Sequence, residues 1–428
     1  MRAVFWIRRG AAVFLVAWWL PASAMAQVMA PVTRLSMADA ERLALLHNQA
    51  MQAQRLSVDA SKADEVTAGI KPNMGISFAA DGLSTFSPRQ LTPDFLRNDV
   101  SYGVAASYLW ERGGKRNNRI TVAKSTTEVT AIGVTDAERQ LRFQTAQAFI
   151  GLLLAKSTLE LAQQNLKSFS DVVDVDRQRV TSGDLAEGEF FKISLQKLQF
   201  EQDASAAEVA VVQARAALRQ LVGYETVTED FEPVGDLTHS TQALDLESLK
   251  TQALETRADL LAARSGVTLA QNTLALENSN NSRDVTGGID YTHVGPSNTL
   301  GVSAGFDLAI HDHNQGNIAK SEVQVRQATQ SELATRYLVL TDVVNAYAGW
   351  QTAQKVVALY ESGYLDQAKQ SLDISRYVYQ RGAGSLLDLL DAERTYRDTQ
   401  LGYRQALSNY MASAAQLNLA VGKQVIVP

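Results

Sequence analysis

The stretch YQRGAGSLLDLLDAERTYRDTQ occupies residues 379–400 and joins two long helical patterns. Its glycine-containing break at 381–384 is followed at once by an amphipathic run, which predicts a turn and then the start of a helix. Farther along, apolar residues recur at alternating spacings of four and three, which is typical of a coiled-coil seam. This seam consists of Tyr403, Leu407, Tyr410, Ala414, Leu417 and Val421. The stretch therefore predicts the tip of a long helical hairpin.

Two segments without proline, 95–232 and 297–427, extend this interpretation over most of the chain. Residues with high helix propensity dominate both segments, and no proline interrupts them. We expect helices at 36–71, 115–181, 186–222, 246–279, 316–380 and 385–421. The second and fifth would each have about 65 residues and would be about 100 Å long, at a rise of 1.5 Å per residue.

The chain also resembles itself at a shift of about 200 residues, which indicates an internal duplication. AQAFIGLLLAKSTLELA, from Ala146, aligns with VNAYAGWQTAQKVVALY, from Val344, so that Gly151 and Gly349 coincide. A glycine recurring inside a helix suggests a close contact between helices. We divide the chain into a first repeat at 27–223, an equatorial linker at 224–245, a second repeat at 246–422 and a tail at 423–428.

The N-terminus has the pattern of a secretory signal peptide. Three arginines precede an apolar run at 11–20, and Ala24-Met25-Ala26 offers a cleavage site, so we expect residues 1–26 to be removed. Loss of these arginines changes the formal net charge from −6 to −9. An exported acidic chain is a poor candidate for binding nucleic acid. Because the sequence contains no cysteine, we expect neither a disulfide nor a lipid-modified N-terminal cysteine.

Four short segments alternate apolar residues with small or polar ones, which predicts one β-hairpin in each repeat, at 74–110 and 284–310. Such alternation is common in any half-buried sheet. Strands of about ten residues with aromatic residues near their ends are, however, typical of outer-membrane barrels. Known barrels start at about eight strands, so four strands need further copies of the chain to remove their free edges.

These features together resemble the TolC-like outer-membrane factors of tripartite efflux pumps. The resemblance extends from Leu35 to Gly422, and YQRGAGSLLDLLDAERT is its most specific element. RGGKRNNR, at 112–119, and DHNQGNIAKSE, at 312–322, resemble the strand-to-helix turns of the heavy-metal efflux branch. The resemblance implies a mainly α fold with a small β part. A homotrimer would form a twelve-stranded β-barrel in the outer membrane of a Gram-negative bacterium and a twelve-helix tunnel across the periplasm.

The same resemblance implies a passive exit duct that works with two protein partners. A periplasmic adaptor, also called a membrane fusion protein, would dock on the helical tips at Gly183, Gly382 and Gly384, and would connect the duct to an inner-membrane pump. Outer-membrane lipid would surround the barrel. Gly384 stands where relatives carry an arginine that helps to hold the closed state, so we do not expect that latch in this chain.

By the same resemblance, Asp388 and Asp391 line the narrow tunnel entrance, where three chains bring six carboxylates together. Tyr379 matches an aromatic residue that packs at this aperture. The first repeat has Glu189 and Lys192 at the equivalent places, so only the second tip would supply the ring. Acidic residues in a first helical turn otherwise serve only to complement the helix dipole.

Motifs of other classes fit the pattern less well. GVSAG, at 301–305, matches the nucleophile elbow of hydrolases, but that motif requires a sharp turn and here the strand alternation continues. His311 and His313 could form at most a two-histidine metal site. We therefore expect no enzymatic activity, no catalytic residue, no cofactor and no resident metal.

Two alternatives stay open at this point. The duct could carry small organic toxins or drugs, or serve type I secretion, instead of carrying heavy-metal cations. In a different class, the chain could be a structural coiled-coil protein of the envelope without a pore. The alternating strands favour the duct, because a coiled coil alone has no use for them.

Overall fold

The computed structural model describes residues 32–83 and 92–427, and within these residues it consists of long helices and two small sheets. The predicted signal peptide at 1–26 lies outside the described residues. The helices are α1 (Met37–His47), α2 (Gln49–Ala68), α3 (Pro93–Asn98), α4 (Lys115–Ser182), α5 (Glu187–Val222), α6 (Leu246–Thr256), α7 (Ala258–Asn280), α8 (Gln315–Leu359), α9 (Leu365–Gln380) and α10 (Leu386–Val421). The strands are β1 (Val32–Ser36), β2 (Gly75–Asp81), β3 (Ser101–Trp110), β4 (Val227–Val234), β5 (Val285–Val294) and β6 (Ser297–Gly305).

The first and fourth predicted helices are each broken into two, at Asn48 and at Arg257. The Asn48 side chain donates from Nδ2 to the carbonyl of Leu221 at 3.1 Å. Arg257 is 4% exposed and donates from Nη1 to the carbonyl of Ala420 at 3.2 Å. Each break therefore attaches its helices to the last turn of the closing helix of the same repeat, α5 or α10.

The fifth predicted helix is interrupted by a π-helical segment, Tyr360–Tyr364, between α8 and α9. Gly363 in this segment has φ 118°, a conformation that side-chain-bearing residues rarely adopt. The Tyr360 ring packs so closely on α10 that a Cβ placed on Gly402 would lie 2.4 Å from the tyrosine hydroxyl. The corresponding part of the first repeat lies within the continuous helix α4, so the two repeats differ at this point.

The four predicted strands form one antiparallel sheet in the order β2-β3-β5-β6, which leaves β2 and β6 as its edges. One face of the sheet is apolar and exposed. Its paired rows are Ile76, Ala106, Ile289 and Val302, and next to them Phe78, Val104, Tyr291 and Leu300. The other face is small and polar, with rows such as Ser77, Ala105, Asp290 and Gly301. In a water-soluble protein, by contrast, the apolar face of a sheet is covered by the core and the polar face is exposed.

Strand β6 ends earlier than the sequence alternation predicts. Thr286 of β5 pairs with Gly305, and β5 begins only one residue earlier, at Val285, so it has no partners for a strand that continues to residue 310. Phe306, Leu308 and Ile310 therefore lie beyond the strand, and all three side chains are exposed. The predicted hairpin boundary at 310 is wrong because alternation without a pairing partner does not make a strand.

The largest apolar core lies where the short parallel pair β1–β4 meets the helices, and it includes Leu35 of β1 and Phe231 of β4. The predicted close helix contact at Gly151 and Gly349 is wrong within the chain, because a Cβ on either glycine would meet nothing within 4 Å. No helix among the described residues combines the length and the apolar character that a membrane span needs.

Candidate functional site

The two long hairpins end in compact turns, each with one glycine in the left-handed region. Gly183 ends α4 with φ 83°, and Gly382 follows α9 with φ 71°. After α9, the amide of Gly382 donates to the carbonyl of Tyr379 at 2.9 Å, and the amide of Ala383 donates to that of Val378 at 3.1 Å. These bonds satisfy carbonyls at the helix end that would otherwise lack a partner, and they favour glycine at the turn.

Glycine is favoured at position 384 for a different reason, which is close packing of the chain. A Cβ on this residue would lie 3.1 Å from Cγ1 of Val378 and 3.2 Å from the amide nitrogen of Tyr379. The chain that leads into α10 therefore passes directly over the last turn of α9. Any larger residue here would have to move one of these groups.

Asp388 supports the cap of the helix in which it lies. Ser385 is the capping residue: its hydroxyl accepts from the Asp388 amide at 3.1 Å and donates to the Asp388 carboxylate at 2.7 Å. Asp391 is exposed and, among the described residues, has no hydrogen-bond or ion-pair partner. Asp388 therefore has a local structural role, whereas Asp391 has none that the chain supplies.

Tyr379 lies inside the tip and links the two hairpins. Its side chain is 6% exposed, and its hydroxyl donates to Oδ2 of Asp176 on α4 at 3.0 Å. Asp176 is 1% exposed and also accepts from Nη1 of Arg179 at 3.1 Å. The Arg179 guanidinium lies 5.4 Å from the centre of the Tyr379 ring. Burial raises the pKa of Tyr379, and the Asp176 carboxylate raises it further, so the hydroxyl remains a proton donor.

Two small apolar clusters surround this contact. One contains the stacked rings of Phe169 and Phe200, whose centroids lie 4.6 Å apart. The other contains Leu372 together with Tyr379, and Leu386 at the start of α10 packs against both clusters. The buried hydrogen bond from Tyr379 therefore lies within a packed joint between the α4–α5 hairpin and the α9–α10 hairpin.

The structure separates the predicted site residues into two environments. Tyr379 is buried, whereas Asp388 and Asp391 are exposed. No sequence pattern indicated Asp176 or Arg179 as functional residues. An aspartate followed three residues later by an arginine is an ordinary surface pair on a helix, so only contact with the distant α9 distinguishes this one.

The histidine pair lies in an exposed turn before α8. His311 and His313 are exposed, and Gln315 bonds to the backbone of both residues, accepting at Oε1 from the His313 amide at 3.0 Å. Among the described residues, no group of three or more histidine, aspartate or glutamate side chains could hold a metal ion.

Comparison with known sequences gives a family match over both repeats. The outer membrane efflux protein family matches residues 41–224 and 249–423, which is most of the chain. The cobalt-zinc-cadmium resistance protein CzcC of Cupriavidus metallidurans is 22% identical over 317 residues, which are 73% of this chain and 75% of CzcC. The cation efflux system protein CusC of Escherichia coli K12 is 23% identical over 341 residues, 75% of this chain and 72% of CusC.

Solved structures share the fold. A crystal structure of CusC, from work on folding and transmembrane channel formation, superposes with a TM-score of 0.74 at 18% identity. The superposition covers 90% of this chain and 92% of that one. The arrangement of long hairpins above a four-stranded sheet is therefore the fold of this solved structure as well.

Proposed function

Because the chain belongs to the outer membrane efflux protein family, we propose that it is the outer-membrane channel of a tripartite efflux system, a passive exit duct across the periplasm and the outer membrane. The observation that carries this proposal is the sheet with its apolar face outward. Ile76, Phe78, Leu300 and Val302 are each at least 65% exposed on that face, while small polar residues line the opposite face. Lipid outside and water inside would match both faces.

The free sheet edges support a homotrimer. Strands β2 and β6 have no partner on their outer sides among the described residues, and three chains would join these edges into twelve strands. Helix α5 gives independent support, because an exposed stripe along it has the four-three spacing of a coiled-coil seam. This stripe contains Phe191, Leu195, Leu198, Gln202, Ser205, Val209, Val212 and Ala216. A helix of the neighbouring copy would cover it.

At the tips, the trimer would place six carboxylates of Asp388 and Asp391 around the tunnel entrance. Several negative charges in a narrow space attract cations. The bond from Tyr379 to Asp176 would hold the α9–α10 hairpin against α4 and so keep this entrance narrow. The turns at Gly183 and at 382–384 would present the docking surface for the periplasmic adaptor, which leads to the inner-membrane pump.

For the cargo, we propose heavy-metal cations as transported substrate. Two observations support this proposal. The relatives CzcC and CusC are named for cobalt-zinc-cadmium resistance and for cation efflux, and the turn sequences at 112–119 and 312–322 resemble those of the heavy-metal branch. The carboxylates at the entrance suit a cationic cargo, since they would concentrate it there.

Deletion of the gene tests the cargo. The deletion strain should become sensitive to divalent or monovalent transition-metal ions, and the intact gene should restore resistance. Sensitivity confined to organic toxins or detergents would show that the duct serves another class of pump.

The mass of the detergent-purified protein tests the assembly, and a stable monomer or dimer would contradict the trimer.

A further inference from the structure

At one end of the sheet, where β2 begins and β3 ends, three basic residues lie beside three exposed apolar residues. We define this basic corner as Lys71, Arg112, Arg116, Ile70, Met74 and Trp110. The apolar members are each at least 53% exposed. The pairing of Gly75 with Ser107 brings the two strand ends together, and Nε of Arg116 donates to the carbonyl of Gly69 at 2.6 Å.

The cations of the basic corner are not neutralised by carboxylates of the described residues. Lys71 and Arg112 are exposed, and no side-chain partner for either occurs in 32–83 or 92–427. Arg116 bonds to a carbonyl, which leaves its charge uncompensated. The three positive charges are therefore available to a ligand.

Two carboxylates beside this corner, those of Glu111 and Asp284, are already occupied. Glu111 is held by Arg119, with one of the two hydrogen bonds at 3.0 Å. Asp284 accepts from Nζ of Lys115 at 2.8 Å and from the backbone amide of Arg112 at 3.0 Å. These pairs leave the basic corner with an excess of positive charge.

Trp110 is fixed in position beside these charges. Its ring lies over Gly287, where a Cβ would be 2.3 Å from Cζ3, and it meets Tyr108 edge-on at 5.2 Å between ring centroids. A rigid, half-exposed indole next to lysine and arginine matches the headgroup level of a bilayer, where aromatic rings and cations both find partners.

We propose that the basic corner binds the phosphodiester headgroup of an anionic glycerophospholipid in the leaflet that faces the helices. This inference rests on the proposed outer-membrane location. Lys71 and Arg112 would contact the phosphate, and Trp110 would lie at the boundary with the acyl chains. Each cation near an anionic membrane surface strengthens binding about fivefold.

Native mass spectrometry of the purified trimer with added dioleoyl phosphatidylglycerol tests this site, with phosphatidylcholine as the neutral comparison. We expect the wild type to bind phosphatidylglycerol more tightly. Lys71→Gln together with Arg112→Gln should weaken that binding by about 25-fold and leave phosphatidylcholine binding unchanged. Arg97→Gln is the matched control, because Arg97 is an exposed cation in α3, at the other end of the same sheet.

Equal loss of lipid in the Arg97→Gln variant, or no loss in the double variant, would overturn the proposal. Inorganic phosphate alone should not displace the lipid at equal concentration, and if it does, the corner is a free-phosphate site. The double variant could also bind lipid as the wild type does while its trimer dissociates at a lower temperature. That result would overturn the lipid site and indicate an ion pair between copies of the chain. Channel conductance should persist in the double variant, which separates this test from that of the proposed duct.

Discussion

Replacing Tyr379 by phenylalanine removes one hydroxyl and preserves the ring that packs in the tip. The hydroxyl donates to a carboxylate that is 1% exposed, at 3.0 Å, and Asp176 would retain only its bond from Arg179. A hydrogen bond to a charged group contributes about 1.5–3 kcal/mol. Taking about 2 kcal/mol, we expect the balance between attached and detached hairpins to shift about 30-fold toward detachment in each chain.

Single-channel recording of the protein in a planar bilayer measures this shift. The Tyr379→Phe variant should open more often or for longer than the wild type, at unchanged single-channel selectivity, because Asp388 and Asp391 are untouched. Tyr377→Phe is a suitable control, since Tyr377 lies on the same helix but is 59% exposed, with the Arg381 guanidinium 5.0 Å from the centre of its ring.

The reasoning fails if Tyr379→Phe opens as rarely as the wild type while Asp176→Asn opens freely. In that case the carboxylate would act through Arg179 alone, and the tyrosine would be only a packing residue. Equal effects of Tyr377→Phe and Tyr379→Phe would also contradict it, because the exposed hydroxyl has no buried partner to lose.

Three further perturbations test other parts of the structure. Replacing Asp388 and Asp391 together by asparagine should abolish cation selectivity and block by trivalent cations in bilayer recordings, while the circular dichroism spectrum stays that of the wild type. Arg257→Ala should lower the free energy of unfolding by about 1–3 kcal/mol, because it removes the hydrogen bonds to the partly exposed Asp259 and to the carbonyl of Ala420, and thermal melting would measure this. Because the pKa of Tyr379 is raised by burial and by Asp176, the stabilisation from its hydrogen bond is complete below the ordinary tyrosine value of 10.0, decreases above that pH and is lost once the pH exceeds the raised pKa. Conductance should therefore rise above that pH in the wild type and stay constant in Tyr379→Phe.

The ends of a helix could be predicted where neighbouring residues in the sequence determine them. The turns after α4 and α9 have glycine at the required position, and the serine before α10 is a strong cap, so the sequence marks these boundaries. The breaks at Asn48 and Arg257 could not be predicted in this way. Neither has a glycine or proline beside it, and each depends on a carbonyl more than 160 residues away along the chain.

The tip was only partly predictable for the same reason. The amphipathic start of α10 indicated the position of Asp388 and Asp391, but the structure adds that the Asp388 carboxylate accepts a hydrogen bond from Ser385, the capping residue of this helix. Asp176 carries no local signal, because its burial results from packing against a helix of the other repeat. Pairing across repeats is a property of the tertiary structure and is absent from any short pattern.

The π-helical segment at Tyr360–Tyr364 lies where the two repeats of the duplicated chain differ in length. Gly349 follows Gly151 by 198 residues, whereas Gly382 follows Gly183 by 199, so the second repeat has gained one residue between these glycines. In a regular helix, one added residue would rotate everything beyond it by about 100°.

The buried positions show where that rotation is absorbed. Trp350 and Val357 are seven residues apart, as are Leu372 and Tyr379, but the step from Val357 to Leu372 is fifteen, one more than two heptads. The wider π turn takes up the extra residue locally, so the side chains beyond it keep their inward direction. A single-residue insertion has thus been accommodated without turning Tyr379 away from Asp176, and the second hairpin has a π turn that the first hairpin lacks.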